Sequence, residues 1–212
     1  MNNSELTLSD CGAIVLIGGY NRRMGVAKAT LRIEHQTFLD RIVQTLRRLA
    51  LPVWLVTGVN SSAIDYPACV TVVRDEYADR GPIEGLRCGL KVAKNTVEWL
   101  FVTSCDAPLL HPAFVRLILE RRAAHLDAVV PHSGTHYYPL NAAFRTTALG
   151  PIEQQIAAGN FSLHALLQGV RCCQVTLETI EQVDVQLDSL RNVNSPQDYQ
   201  RLLEDLADRQ RK

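Results

Sequence analysis

The sequence predicts an α/β fold, three layers deep, with helices on both faces of a mostly parallel sheet. Three observations carry this prediction. Short apolar runs at 11–17, 53–57, 69–73 and 99–103 have the length and composition of buried strands. Between them lie stretches whose apolar residues return at helical spacing. Glycines and prolines punctuate the joints, as connections in such folds require. Strands that alternate with helices form a parallel sheet wrapped on both faces, with ligands bound beyond the carboxyl ends of the strands.

Each element follows in order. The run Cys11 to Ile17 is too short for a helix and ends on Gly18-Gly19, so it reads as the first strand. Thr37-Phe38-Leu39-Asp40 has the form of a capping box, and Phe38, Leu39, Ile42, Val43, Leu46 and Leu49 then mark one buried helical face. Pro52 opens a second strand over 53–57, and 69–73 makes a third. Gly81-Pro82 turns into a helix over 83–93. The fourth strand, 99–103, closes on Ser104-Cys105-Asp106-Ala107-Pro108, followed by a helix over 112–122 and a strand at 128–130. Beyond Pro131 the alternation weakens. Residues 132–144 read as a loop and a strand, helices fall near 146–157 and 162–168, and a strand spans 170–177. Ser195-Pro196-Gln197-Asp198 supplies an N-cap, a first-turn proline and an acidic third position for the last helix.

Composition narrows the function. At 212 residues the chain reads as one domain, 1–212, able to bury about 70% of the surface its unfolded form exposes. It is 47% hydrophobic and 21% charged, with a formal net charge of +0, so a nucleic-acid coat or a membrane-surface binder, which would carry a basic excess, is not indicated. The six cysteines contain no C-x-x-C pair, which points away from a zinc site or a disulfide framework. Met1 to Glu5 lacks a basic region and a long apolar core, and no apolar run reaches the roughly 18 residues of a membrane span; a reducing cytoplasm is the expected compartment.

Four loops leave the carboxyl ends of the first four strands and should open onto one rim. The first, Gly18-Gly19-Tyr20-Asn21-Arg22-Arg23-Met24-Gly25-Val26-Ala27-Lys28, has neither the spacing of a Walker loop nor that of a dinucleotide fingerprint. Its glycines let backbone N–H groups approach a phosphate chain while Arg23 and Lys28 bring positive charge, which suits a nucleoside triphosphate. Asp106, at the tip of a buried strand, is placed to offer a hard oxygen to magnesium. Asp75 and the glycines Gly81 and Gly85 form the third group: the glycines let the chain lie against a nucleobase or ribose, and Asp75 accepts hydrogen bonds. His132 and His136 flank Gly134 and have two readings, acceptor recognition or a solvated loop.

Taken together, Leu16-Ile17-Gly18-Gly19 with Arg23-Met24-Gly25 and Lys28, then Asp75, Gly81-Pro82-Ile83-Glu84-Gly85-Leu86, Cys105-Asp106-Ala107-Pro108 and Asn192-Val193-Asn194-Ser195-Pro196, in that order, resemble the molybdenum cofactor guanylyltransferases. The resemblance runs from about residue 12 to 200. It implies a Rossmann-like sheet of the nucleotide-diphospho-sugar transferase type, with a nucleotide-binding half at about 12–131 and an acceptor-side half at about 132–207. It implies transfer of GMP from GTP to molybdopterin with Mg²⁺ and release of pyrophosphate. Carried over by position, Leu16, Ile17, Gly18 and Gly19 would contact the nucleotide through main chain, and Arg23 and Lys28 would meet phosphate. Thr57, Asp75, Gly81 and Gly85 would hold the nucleoside, and Asp106 would ligand magnesium. Tyr138, Asn141, Asn192 and Asn194 would face the acceptor. Transient contacts with molybdenum-insertion proteins and with apo-molybdoenzymes or their chaperones are the implied protein partners.

This chain departs from the family pattern at three places. Ile17 replaces an alanine, Ala27 replaces an aspartate before the lysine, and Thr57 stands where some members have asparagine. Two alternatives therefore stay open: a sister nucleotidyltransferase that uses CTP on the same pterin or an NTP on a sugar phosphate, and a nucleotide-binding partner or sensor without turnover.

Overall fold

The computed structural model describes residues 7–17, 28–61, 64–134 and 136–211. The first strand, β1, is Cys11–Leu16, buried along its whole length. A tight hairpin follows, β2 at Arg32–Ile33 and β3 at Gln36–Thr37, and leads into α1 at Phe38–Arg48. The capping box expected at Thr37 is present, with the Thr37 hydroxyl accepting from the Asp40 amide and the Asp40 carboxylate accepting from the Thr37 amide. Strand β4 covers Val53–Thr57 and β5 covers Thr71–Arg74. Then come α2 (Pro82–Ala93), β6 (Trp99–Ser104), α3 (Pro112–Glu120) and β7 (Ala128–Ser133). The last third contains β8 (His136–Tyr137), β9 (Asn141–Arg145), α4 (Leu149–Ala157), α5 (Leu163–Gly169), β10 (Cys172–Thr176), α6 (Leu177–Glu181) and α7 (Pro196–Gln210).

The sheet runs β10-β7-β9-β6-β1-β4-β5, with β8 added to the end of β7. Strands β6, β1, β4 and β5 are mutually parallel, in a register that sets Leu16 beside both Val56 and Ser104, and Thr57 beside Arg74. β9 is antiparallel to β6 and β7. It enters the sheet where the alternation of the sequence weakens, and it makes the sheet mixed. Successive residues of each strand serve opposite cores, as the two-residue period demands. Ala13, Val15, Val53, Leu55 and Phe101 pack with α1 and α3, while Ile14, Leu16, Trp54, Val56, Leu100 and Val102 pack with α2, α4 and α5. Three layers result.

Differences from the sequence reading have simple causes. The third strand starts at Thr71 rather than Cys69, because the chain is still turning there: the Val70 amide bonds back to the Pro67 carbonyl. It is an edge strand with exposed Thr71, Val72 and Arg74, not a buried one. The helix expected from 146 begins with a single 3₁₀ turn over Thr146–Ala148 before α4 proper. Neither the β2-β3 hairpin nor α6 is foreseen in the sequence reading.

A third, smaller core positions the carboxyl-terminal helix. Ile33, Phe38, Leu109, Val193 and Leu202 pack together, and Tyr199 meets Phe38 edge to face at 5.8 Å. Through this contact α7 is docked on the hairpin and the first turn of α1. Its N-terminus is closed by a second capping box between Ser195 and Asp198, with Pro196 in the first turn. The segment 192–194 is thereby carried to the carboxyl edge of the sheet.

Candidate active site

Because β1, β4, β5 and β6 are parallel, their carboxyl ends meet at one edge. The ladder continues one step past each strand: the Ile17 amide donates to Val56, the Asp75 amide to Thr57 and the Cys105 amide to Leu16, at 2.8, 2.8 and 3.2 Å. The Cys105-Asp106 turn thus stands beside Ile17, and Asp75 lies two strands further along the same edge. Loops from sequence-distant strands are brought together by backbone hydrogen bonding alone.

At one corner of this edge Lys28, Asp106 and Asn194 converge. The Lys28 ammonium donates to Asn194 Oδ1 at 2.6 Å and lies 3.5 Å from Asp106 Oδ2. The ion pair is mostly shielded, with side-chain exposures of 12% for Lys28 and 18% for Asp106. Ser104 donates its hydroxyl to the other Asp106 oxygen. The Asp106 carbonyl accepts from the Val193 amide at 2.7 Å, which fastens the tail segment directly to the Asp106 turn. Asp198 accepts from the amides of both Asn194 and Ser195 and fixes how Asn194 is presented. Cys105, buried beside Asp106, has its thiol pushed up by desolvation and then by the Asp106 charge, so it stays a neutral packing group.

The other corner is built around Asp75. One of its carboxylate oxygens, Oδ1, is buried and finds no hydrogen-bond partner among the described residues. Burial, and then the charge of Glu84, push the Asp75 carboxyl up to about 6. Beneath it, Gly85 allows α2 to lie close to the sheet: a Cβ there would stand 3.0 Å from Leu16 Cδ2 and 3.5 Å from Asp75 Oδ1. Next to this acid lies a network that the sequence reading missed. Arg87, 6% exposed, donates from Nη2 to Glu84 at 2.7 Å and to Glu76 at 2.8 Å, while its Nε reaches the second Glu84 oxygen at 3.2 Å. Glu84 is 1% exposed. Its i, i+3 spacing from Arg87 is readable in sequence as a helix pair, but their burial depends on what α2 packs against.

Several expected contacts turn out to be engaged inside the protein. The Leu16 carbonyl and the Ile17 amide are taken by the sheet. Thr57 is 2% exposed, and its hydroxyl donates to the Val73 carbonyl at 3.4 Å. Gly85 lies within the helix-to-sheet contact, not on an open surface. Asn141 is buried, pairs with Thr103 across β9 and β6, and its side-chain oxygen accepts from the Thr103 hydroxyl at 3.2 Å. Gly81 is exposed with φ 70°, in the left-handed region that favours glycine, and a Cβ there would meet open space. Tyr138 is half-buried, with its ring edge to face with His136 at 4.7 Å, and Asn192 is exposed. Gly18, Gly19, Arg23, Met24, Gly25 and Ala27 lie outside the described residues.

The donor set favours hard cations and phosphates. Asp106, Ser104 and Asn194 offer oxygens within one corner, and Lys28 adds the positive charge. Among the described residues no group of three or more His, Cys, Asp or Glu side chains gathers into a metal cage. A single carboxylate with phosphate and water completing the shell is how magnesium is commonly held.

Residues 13–178 match the MobA-like NTP transferase domain. The chain belongs to the MobA-like NTP transferase family. It is 32% identical over 202 residues to a protein of Methanosarcina mazei named "Probable molybdenum cofactor guanylyltransferase", covering 90% of this chain and 89% of that one. It is 27% identical over 190 residues to the molybdenum cofactor guanylyltransferase of Desulfosudis oleivorans, covering 89% and 92%. The crystal structure of molybdopterin-guanine dinucleotide biosynthesis protein A from Archaeoglobus fulgidus matches the fold with a TM-score of 0.78 at 21% identity, over 93% of this chain and 99% of that one. As a MobA-like protein the chain is a nucleotidyltransferase, a class that generally uses a divalent metal. The family match ends at residue 178. Asn194, although part of the Lys28 corner, therefore lies beyond the matched span.

Proposed function

We propose that the chain transfers GMP from GTP to the terminal phosphate of molybdopterin, releasing pyrophosphate and forming the guanine dinucleotide cofactor. The observation that carries this reading is the meeting of Lys28 and Asp106 at the carboxyl edge, in a chain whose named relatives are guanylyltransferases. Those names favour guanylyl transfer over the cytidylyl and sugar-phosphate alternatives.

The acceptor phosphate is already anionic, so in-line attack on the α-phosphorus needs no strong base. The barrier lies in bringing two polyanions together and in stabilising charge on the equatorial and leaving oxygens. Lys28 meets that charge directly. Asp106, with Ser104 and Asn194 beside it, would hold Mg²⁺. When bound, Mg²⁺ supplies positive charge to the phosphate oxygens. Asp75 accepts from the guanine edge, whose N1–H and exocyclic amine are both donors and suit a carboxylate. By family resemblance Gly18, Gly19 and Arg23 complete the phosphate grip, and Tyr138 and Asn192 face the pterin from the acceptor-side half. We place the reaction in the cytoplasm, with molybdenum-insertion proteins and apo-molybdoenzymes as transient partners; no helix among the described residues is long and apolar enough to cross a membrane.

The test is pyrophosphate release with molybdopterin and magnesium, run in parallel with GTP, CTP, ATP and UTP. Release with GTP well above the other three is expected. Faster release with CTP would replace this reading by cytidylyl transfer, and tight GTP binding with no release at all would favour a sensor.

A further inference from the structure

We propose that Glu84 and Glu76 act as positioning residues for Asp75, by clamping Arg87 so that its guanidinium does not neutralise the carboxylate that reads the nucleobase. This rests on Asp75 being the base-reading group. The problem the clamp solves is visible in the geometry. Asp75 Oδ1 is buried and has no partner among the described residues, and a carboxylate oxygen in that condition takes any donor within reach. Arg87 is a buried cation on α2, and its charge acts on Asp75. Left free, it would turn toward Asp75 and cancel the site.

It is not free. Two acids hold it: Glu84 takes Nε and Nη2, and Glu76 also takes Nη2. Glu84 is itself held a third way, by Arg80 at 3.4 Å, and Glu76 is held by Lys91 at 2.8 Å. Burial alone would raise the Glu84 carboxyl, but the hydrogen bonds and charge of Arg87, together with the hydrogen bonds of Cys88 and Arg80, bring it below its ordinary value and keep the group ionised. Hydrogen bonds from Lys91, then Arg87, bring Glu76 down to about 2. The clamp thus keeps its charge throughout the neutral range.

Asp75 Oδ1 shares the space over Gly85 with two apolar side chains, Leu16 from β1 and Val56 from β4. Its chain neighbours Arg74 and Glu76 are exposed. Among the described residues the charged groups that act on it are Glu84 and Arg87, both on α2, and they add to the effect of burial. An ionised Asp75 accepts two donors from guanine, whereas the edges of adenine and cytosine pair a donor with an acceptor. Whatever keeps Asp75 ionised and unpaired therefore bears on base selection.

The experiment is GTP binding by calorimetry from pH 5 to 8, with a thermal melt of each protein at each pH. In the native protein, affinity should fall about tenfold per pH unit below about 6, as Asp75 takes up a proton. In Glu84→Gln the inflection should move to lower pH, because a negative neighbour is gone and Arg87 is released, and GTP binding at pH 7 should weaken about three- to tenfold. In the double variant Glu84→Gln/Arg87→Met, binding at pH 7 should return to within about twofold of native, a rescue that simple damage to α2 cannot give. Glu76→Gln removes the exposed half of the clamp and should shift the inflection the same way, by less, which keeps the idea testable if the buried variants melt early. An inflection that stays in place in both single variants, or a double variant that binds worse than Glu84→Gln alone, overturns the clamp. Asp75→Asn separates the two layers: native affinity with the inflection retained would overturn Asp75 as the reader of the base.

Discussion

The two corners of the carboxyl edge are built in opposite ways. At the Lys28 corner both charged groups already have partners inside the protein: the ammonium has Asn194 and Asp106, and Asp106 also has Ser104. At the Asp75 corner one carboxylate oxygen has no partner among the described residues, although Arg87 is near enough for its charge to act on the acid. A corner whose charges satisfy one another is held in shape and must exchange partners when phosphate arrives. A corner left unsatisfied costs stability until a ligand supplies the missing donors. The first arrangement suits a catalytic centre that handles changing charge, and the second suits recognition of one fixed pattern of donors.

If that contrast is correct, breaking the Lys28 corner should have the largest effect on rate. Lys28→Ala or Asp106→Ala should lower turnover by about 10²–10³, equivalent to about 2–4 kcal/mol of transition-state stabilisation. The melting temperature should change far less than the rate, because the pair, though mostly shielded, still meets solvent and each group keeps a second partner, Asn194 for Lys28 and Ser104 for Asp106. Steady-state pyrophosphate release and a thermal melt on the same samples check both halves. Turnover that survives in both variants removes this corner from the chemistry.

The Asp75 corner predicts the reverse pattern, a stability gain with a loss of recognition. The Asp75 carboxyl titrates near 3.8 in an unfolded chain and about 6 in the folded one. The folded state therefore holds the proton more tightly, and stability is lost as pH rises from about 4 to about 6. Asparagine cannot ionise and escapes that loss. Asp75→Asn should accordingly be more stable at pH 7 by about 1 kcal/mol, seen as a rise of a few degrees in Tm, while binding GTP more weakly. At pH 4 the stability gain should disappear. A variant less stable than native at pH 7 would mean that Asp75 is satisfied in the free protein, and the contrast would fail.

How much of this was legible beforehand follows the same physics. The apolar runs of β1, β4 and β6 and the spacing in α1 are local signals, so strands, helices and the shared carboxyl edge could be read directly. That edge is what brought Lys28 and Asp106, 78 positions apart, into one corner. The antiparallel insertion of β9 could not be read, since strand direction depends on how the chain returns to the sheet and leaves no mark in a five-residue apolar pattern. Asn141 shows the consequence. The family resemblance implies that it faces the acceptor, yet its place in β9 buries it against Thr103. The hairpin that seats α7 was hidden for another reason: its turn uses Glu34 at φ 54°, without a glycine to announce it. The burial of Glu84 and Arg87 was equally hidden, because charged residues on a helix are by default placed in solvent.

The smallest expected effect tests whether Asn194 belongs to the chemistry or only to the holding of Lys28. Asn194 comes from the tail, placed by the Val193 bond to Asp106 and by the Ser195 and Asp198 cap. If its task is to hold the ammonium, Asn194→Ala removes one hydrogen bond to a charged group while Asp106 still restrains Lys28, and turnover should fall by roughly fivefold, about 1 kcal/mol, with KM for GTP nearly unchanged. A loss as large as that of Asp106→Ala would instead place the Asn194 oxygen among the ligands of the divalent ion. Raising the magnesium concentration tells the two apart, because excess metal restores a weakened metal site and does nothing for a lysine that has lost its support.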